Sequence, residues 1–371
     1  MAIKFATYNL ENLFQRPAAM SEEHDADGKK AIEDHALANS IIRKEVYSDD
    51  DKADLVRLSK KYSWHKLNPP ANALVLFQKI RGKLFQTPQG GTLTVVANGR
   101  ADWTGWFELR KQDVKWLATF NTARVIAETK PDILILIEVE SRPTFKRFND
   151  QVLAAEFGFS YPHYMVIDGN DDRGIDVGIA SRFPIETVRS HVDDPQNEAD
   201  PTSMDKVFSR DCPEYDIALP GGKKLVVLCN HFKSKRNGDD EAAIKRRTAQ
   251  AKRANAIAQA ALARSEFVII GGDLNDTPDS DPIGHIFAGG FKDVNDHPDY
   301  PTDRPGTFGT GLARNKLDYL IMSPQLRGLL AATGIERRGS YHPNTWTPFD
   351  TVKKPADEAS DHHLVWAKFD L

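Results

Sequence analysis

The run Ile133-Leu-Ile-Leu-Ile137 constrains this chain more than any other stretch. Five consecutive aliphatic residues cannot alternate between core and water, so they read as a strand buried on both faces. Leu225-Val-Val-Leu228 and Phe267-Val-Ile-Ile270 repeat the pattern. Further strand-like segments fall at 3–8, 163–167, 175–181, 317–322 and 363–369, and the three runs extend to 132–138, 224–230 and 267–272. Helical patterns lie between them. Val114, Leu117, Phe120, Ala123 and Ala127 recur at three- and four-residue steps over 114–129, with Pro131 just beyond. Residues 239–264 read as a helix opened by Asp239, Asp240 and Glu241, whose charges suit the positive end of its dipole. Strands covered on both faces and mixed with helices predict a layered α/β or α+β domain.

A chain of 371 residues can place such layers in one domain, and no repeat suggests a solenoid or propeller. The aliphatic runs are far too short to cross a bilayer, and no stable membrane association is expected. A strand-like segment at 3–8 with no basic-then-apolar leader before it predicts a cytoplasmic protein. Cys212 and Cys229 are too few for a disulfide framework. A net charge of −4 argues against nucleic-acid binding by bulk charge but allows a local basic surface. No obligate protein partner is evident.

Residues from about 17 to 112 read as an insertion after the first strand. They are polar and charged at first, and β-prone residues then flank Asn98-Gly99, which predicts a hairpin over about 92–109. Trp103 and Trp106 within it suit either packing or a substrate-facing wall.

Chemistry-bearing residues gather where strands stop or start. Asn9 and Glu11 follow the first strand, Glu138 and Glu140 the aliphatic run, and Asn230 and His231 the run ending at Cys229. Gly271-Gly-Asp-Leu-Asn-Asp276 follows Phe267–Ile270. Asp172-Arg173-Gly174, Lys316-Leu-Asp318 and Ser360-Asp-His-His363 precede strands. Each motif alone suits a solvated turn or a cap. Strand ends on one side of a sheet converge, however, and gathered carboxylates need a cation to neutralise them. Oxygen donors dominate (Asn9, Glu138, Asp273, Asn275, Asp361) with no Cys/His cage, so Mg²⁺, or Mn²⁺ in its place, fits better than structural zinc. Histidines and an arginine beside such an ion can donate hydrogen bonds to phosphorus-bound oxygens.

In the order of these motifs, from Tyr8-Asn9 to Asp361-His362, the sequence resembles the endonuclease/exonuclease/phosphatase superfamily, in its bacterial nuclease-like branch. The resemblance implies a four-layer α/β sandwich, two packed mixed sheets flanked by helices, with the site at one end. It also implies roles. Asn9 and Glu138 correspond to metal ligands, with Asp361 close to the metal. Asp273 orients or deprotonates the attacking water, and Asn275 orients phosphate or metal. His362 contacts the scissile phosphate and Asp318 holds it. Arg173 faces the phosphate, and His231 is a second histidine there. Asn230, Lys233 and Lys235 fall beside it as substrate-binding candidates.

The implied activity is divalent-metal-dependent phosphoester hydrolysis by in-line attack of water. Lys233, Lys235, Arg236, Lys245, Arg246, Arg247, Lys252 and Arg253 favour nucleic acid as substrate if they track a phosphate backbone. The same charges also suit the solvated face of a helix. A small-molecule or lipid-derived phosphoester is the alternative.

Overall fold

The computed structural model describes residues 2–20, 25–66, 68–89, 91–171, 173–197, 199, 205–235 and 240–371. These divide into two compact units, Met1–Phe14 with Val114–Leu371, and Gln15–Asp113.

The larger unit contains two six-stranded sheets. The first runs, in spatial order, Leu330–Glu336, Leu364–Asp370, Ala2–Asn9, Ile133–Val139, Asp176–Ser181 and His163–Ile167. The second runs Ile185–Arg189, Glu214–Ala218, Lys224–His231, Phe267–Asp273, Asp318–Met322 and Lys292–Asp293. Both are mixed: Ala2–Asn9 pairs parallel with Ile133–Val139, and Lys224–His231 parallel with Phe267–Asp273, while their other neighbours are antiparallel.

Side-chain alternation explains the uniform aliphatic runs. Ile133, Ile135 and Ile137 pack with Leu225, Val227, Phe267 and Ile269 in one core shared by the two sheets. Leu134 and Leu136 instead join Ile126 of the Trp116–Thr129 helix and Phe145 and Phe148 of the Arg142–Phe148 helix. Val226, Leu228, Val268 and Ile270 pack on Ala251, Ala254, Ile257 and Ala258 of the Glu241–Ala261 helix. Every residue of these runs therefore has an apolar neighbour, alternate residues meeting the other sheet and a helix. The result is the expected four-layer sandwich. Asp240 caps the long helix by accepting from the Ala243 N–H at 2.8 Å, while Asp239 lies outside the described residues.

Sequence periodicity missed four strands of these sheets: Ile185–Arg189, Glu214–Ala218, Lys292–Asp293 and Leu330–Glu336. Their partly exposed or charge-bearing residues give no aliphatic run.

Gln15–Asp113 has its own core around Tyr62, Trp64, Trp103 and Phe107. It begins and ends as paired chain, with Gln15 opposite Asp113. Its helices, Asp25–Ile42 and Asp49–Tyr62, gave little sequence signal because charges interrupt their apolar faces. The hairpin expected over 92–109 does not form. Trp103–Leu109 pairs antiparallel with Val75–Gly82, and Thr94–Val95 pairs with Phe85–Gln86. The Asn98-Gly99 turn is consumed elsewhere: Asn98 accepts from the Tyr47 N–H, and a Cβ at Gly99 would sit 1.7 Å from the Glu45 carbonyl oxygen. Trp103 is a core residue donating to the Tyr47 hydroxyl at 2.9 Å, and Trp106 is exposed.

Candidate active site

The inward-facing parity of the central strands continues to their ends. Along Lys224–His231, residues 225, 227 and 229 face the other sheet, which places His231 on that side. Along Phe267–Asp273 the same alternation places Asp273 there. Parallel pairing sets His231 beside Asp273, and antiparallel pairing sets Asp273 beside Asp318. Three polar side chains thus stand in a row across three strands. Asn9 arrives from the first sheet, and its amide donates to Asp273 at 3.3 Å.

The two glycines ahead of Asp273 make the row buildable. A Cβ on Gly271 would lie 2.4 Å from the Ile135 methyl of the facing sheet. Gly272 has φ +131°, and a Cβ there would meet the Asn230 carbonyl oxygen at 1.9 Å. Beyond them Asn275 takes a left-handed φ of 52°. Its N–H donates to Asp273 at 2.9 Å and its side-chain amide to the Phe232 carbonyl at 3.2 Å.

Glu138 breaks the alternation. Simple parity would send it outward with Leu134 and Leu136, but its φ is +60° and the register slips there: Val139 faces Asp176 while Ile137 faces Val177. This bulge re-aims the carboxylate, leaving its Oε1 3.8 Å from His231 Nε2. A left-handed glutamate costs on the order of 1–3 kcal/mol of backbone strain, retained where the surroundings over-determine it.

His362 completes the cluster. Its Nδ1 lies 2.8 Å from Asp318 Oδ2 and its Nε2 3.7 Å from Asp273 Oδ2. Thr307 donates to Asp318 at 2.6 Å, and the Phe308 ring lies 4.9 Å from the imidazole. Ser360 pins the approach, donating to the Asn9 carbonyl and accepting from the His362 N–H.

Electrostatics separates the two histidines. Burial depresses His231, and Arg210, Arg173 and His362 depress it further, so its imidazole is neutral near pH 7. Burial acts the same way on His362, but Asp318, Asp273 and Asp361 outweigh it and hold the ring well above the ordinary histidine range. Burial pushes Asp273 up to about 7, with Asp318 and Glu138 adding to it and His362 opposing. Burial and Asp361 raise Glu138.

Arg173 reaches this environment in company. Its guanidinium pairs with Asp171 at 2.6 Å, and Asp171 also holds the buried Arg210 at 3.0 Å. Although burial opposes ionisation, the two arginines hold Asp171 well below the usual carboxylate range. Arg173, expected to face the phosphate, thus has a companion that the sequence did not suggest: Asp171 links it to Arg210 in a carboxylate-bridged pair. Arg210 and Asp171 escaped sequence reasoning because Arg210 lies in the irregular segment before Glu214–Ala218, and Asp171 precedes the motif at 172–174. Asp172 lies outside the described residues.

The substrate-binding candidates fare unequally. Asn230 is fully buried on the opposite parity from His231, and its amide donates to the Leu228 carbonyl at 3.4 Å. Lys235 is tied to Asp276, which also accepts from the buried Arg247 at 2.8 Å. Of the helix cations, Lys245 pairs with Glu241 and Arg253 with Asp194, both at 2.7 Å. Lys233 is half-buried near Arg173 and Arg210. It lines, with Ser209, Gln196, Asp240 and Arg246, a cavity of about 510 Å³. Arg236 lies outside the described residues.

The donor set fits a divalent cation. Burial and neighbouring carboxylates raise both Glu138 and Asp273, and a cation beside them would relieve that crowding. Asp273, Asp318 and His362 bring ligand-type atoms within 4.8 Å of one another, the one such grouping among the described residues. That grouping is a hydrogen-bonded chain in which His362 Nδ1 is already engaged by Asp318. Asn9 and Glu138, with Asp361 near, could instead offer oxygen to an ion, the amide oxygen of Asn9 while it accepts from the Glu11 N–H at 3.1 Å.

The sequence model of the Endonuclease/Exonuclease/phosphatase family matches residues 117–362. Among solved structures, a Bacteroides thetaiotaomicron protein of that family superposes with TM-score 0.50 at 19% identity, covering 69% of this chain and 88% of that one. A Beutenbergia cavernae protein of the family gives TM-score 0.49 at 17% identity over 68% of this chain, which spans 66% of that protein. The truncated Caenorhabditis elegans TDP2 gives 0.44 at 20% identity, covering 68% of this chain and 90% of that one. No curated protein matches the sequence.

Proposed function

Because the chain belongs to the endonuclease/exonuclease/phosphatase family of metal-dependent phosphoesterases, we propose that it hydrolyses phosphodiesters, with a nucleic-acid strand as substrate. The observation that carries this reading is the row of side chains: Asp273 stands beside His231 and Asp318 on neighbouring strands, with both imidazoles 3.7 Å from its carboxylate, so a group able to take a proton from water lies between two donors for phosphoryl oxygens.

In this reading Asn9 and Glu138, with Asp361 beside them, would hold Mg²⁺ or Mn²⁺, and the ion would supply positive charge for the phosphoryl oxygens. Asp273, with its carboxyl near neutrality at about 7, accepts the proton of the attacking water. Protonated His362, fixed by Asp318, donates to a phosphoryl oxygen as charge builds on it. Neutral His231 donates a second hydrogen bond from the row beside Asp273. Asn275 keeps the Asp273 carboxylate aimed through its N–H. Lys233 and Arg246, around the cavity they share, favour a polyanionic substrate.

A second reading, a small or lipid-derived phosphoester, gains from the local pairing of Lys235, Arg247, Lys245 and Arg253, which leaves less free charge for a strand. The test is hydrolysis of single-stranded DNA, RNA, bis-nitrophenyl phosphate and nitrophenyl phosphate with Mg²⁺ or Mn²⁺. Asp273→Ala and His362→Ala are each expected to lose on the order of 10²–10³-fold. Faster turnover of the monoester than of every diester overturns this reading. Diester turnover without action on nucleic acid favours the second reading.

A further inference from the structure

The cavity of about 510 Å³ beside Lys233 adjoins the row of His231, Asp273 and Asp318 without belonging to it. Lys233 follows His231 by two residues, so at most about 7 Å of chain separates them. That stretch has no slack. The Phe232 N–H donates to the Asp273 carbonyl at 2.9 Å, and the Phe232 carbonyl accepts from the Asn275 amide at 3.2 Å and from Arg210 at 3.3 Å. The Lys233 N–H donates to Gln250 Oε1 at 2.9 Å, and its carbonyl accepts from Arg247 at 3.4 Å. Gln250 and Arg247 are both fully buried on the Glu241–Ala261 helix. Every backbone polar group of Phe232 and Lys233 is therefore held, and the Lys233 side chain leaves from a rigid base.

Arg246 reaches the same cavity from the helix, one turn beyond Ala242 and Ala243, which also line it. Its Nη1 donates to Gln196 Oε1 at 2.6 Å, while its Nε is buried with no hydrogen-bond partner. Burial lowers the proton affinity of both cations. Arg173, Arg210 and Arg246 lower that of Lys233 further while Asp171 opposes, and Asp205 supports the charge of Arg246. Among the described residues neither Lys233 nor Arg246 forms an ion pair, whereas Lys235 and Arg247 pair with Asp276, and Lys245 with Glu241. Asp240 is the acid in the lining, and one of its oxygens is taken by the Ala243 N–H at 2.8 Å. Ser209 Oγ accepts from Gln250 at 3.1 Å, which leaves its own O–H to donate.

We infer that this cavity is a second phosphate subsite, in which Lys233 and Arg246 hold the phosphate next to the scissile one on the same strand. The inference deepens the phosphodiesterase reading above and rests on it. Two half-buried cations that share a space without counter-charges carry an uncompensated desolvation cost, and an anion between them offsets it for both. Phosphate matches the donors, since it accepts from an ammonium, a guanidinium edge and a hydroxyl at once. The rigid two-residue link from His231 sets the second phosphate at a fixed step from the first. The site therefore distinguishes a diester with a phosphorylated neighbour from a lone diester.

The test compares kcat/KM of the full chain in Mg²⁺ for thymidylyl-thymidine, which carries only the scissile phosphate, with its 5′-phosphorylated and 3′-phosphorylated forms. One phosphorylated form is expected to be favoured by roughly 10- to 150-fold, the range for a hydrogen bond to a charged group. The double variant Lys233→Gln, Arg246→Gln is expected to bring that ratio within about threefold of unity. Each single variant loses part of the preference and serves where the double does not fold. Lys245→Gln removes an exposed, ion-paired charge from the same helix and leaves the ratio unchanged. A second arm reads the site without turnover. In EDTA at constant ionic strength, inorganic phosphate is expected to raise the thermal midpoint of wild type, and the double variant to lose that rise. A wild type that treats the phosphorylated and unphosphorylated dinucleotides alike overturns the inference, as does a phosphate-dependent rise that survives the double substitution. Absence of dinucleotide hydrolysis in wild type sinks the parent reading, while a rise lost in the double variant still upholds the phosphate subsite.

Discussion

Replacing Asp318 by Asn tests the site at its most constrained contact. The carboxylate is fully buried, accepts from Thr307 at 2.6 Å and lies 2.8 Å from His362 Nδ1. Asparagine keeps the volume and an acceptor but removes the charge. A hydrogen bond to a charged group contributes about 1.5–3 kcal/mol, so losing the charge-assisted part is expected to lower kcat by roughly 10- to 150-fold. The pH profile should move too. Burial pulls the His362 proton affinity down, and Asp318 is the largest influence holding it up. Without that charge the ring loses its proton at lower pH, and the alkaline limb of kcat shifts toward acid. The assay is bis-nitrophenyl phosphate hydrolysis in saturating Mg²⁺ across pH 5 to 10, with near-UV circular dichroism to confirm the fold. Near-wild-type kcat with an unmoved alkaline limb would refute the assignment of His362 as the protonated donor held by Asp318.

Other outcomes follow from the same geometry. Gly272→Ala combines φ +131° with a Cβ 1.9 Å from a backbone oxygen, and is expected to cost more than about 3 kcal/mol in urea unfolding. Arg247→Ala removes one of the two cations on Asp276, leaving Lys235, and should cost about 1.5–3 kcal/mol by the same measurement. His191 sits 3.0 Å from both Asp194 and Glu214; burial opposes its proton, but the two carboxylates prevail and raise its pKa. The stabilisation it gives is complete below the ordinary histidine pKa near 6.5 and fades as pH rises through the elevated value. The thermal midpoint of wild type should therefore fall over that window more than that of His191→Gln.

The sequence revealed the parts of this fold that are apolar without interruption. Ile133–Ile137, Leu225–Leu228 and Phe267–Ile270 announce central strands because both of their faces are covered. Edge strands such as Ile185–Arg189 mix exposed and buried positions and gave no such signal. The site was legible through residue type at strand ends, where Asn9, Glu138, His231, Asp273, Asp318 and His362 come together. What escaped was set by contacts distant in sequence. Arg210 is held by Asp171, 39 positions earlier, and Lys235 is withdrawn by Asp276, 41 positions later. The false hairpin has a similar origin: the Asn98-Gly99 turn is real chemistry, but the neighbouring strand found its partner at Val75–Gly82.

The alternation along the central strands has a consequence for how such a chain can change over generations. Deleting one residue between Leu225 and Cys229 would exchange the parities of His231 and Asn230, turning the imidazole toward the helix and the amide toward the carboxylates. Hydrophobicity would hardly register the change, since every residue in the run is aliphatic or small. The same chain admits the whole of Gln15–Asp113 between Phe14 and Val114, whose backbones still meet through a 2.8 Å hydrogen bond. Tolerance to length is thus opposite at two places in one chain: a folded unit passes beyond the end of Ala2–Asn9, and a single residue lost within Lys224–His231 would silence the chemistry.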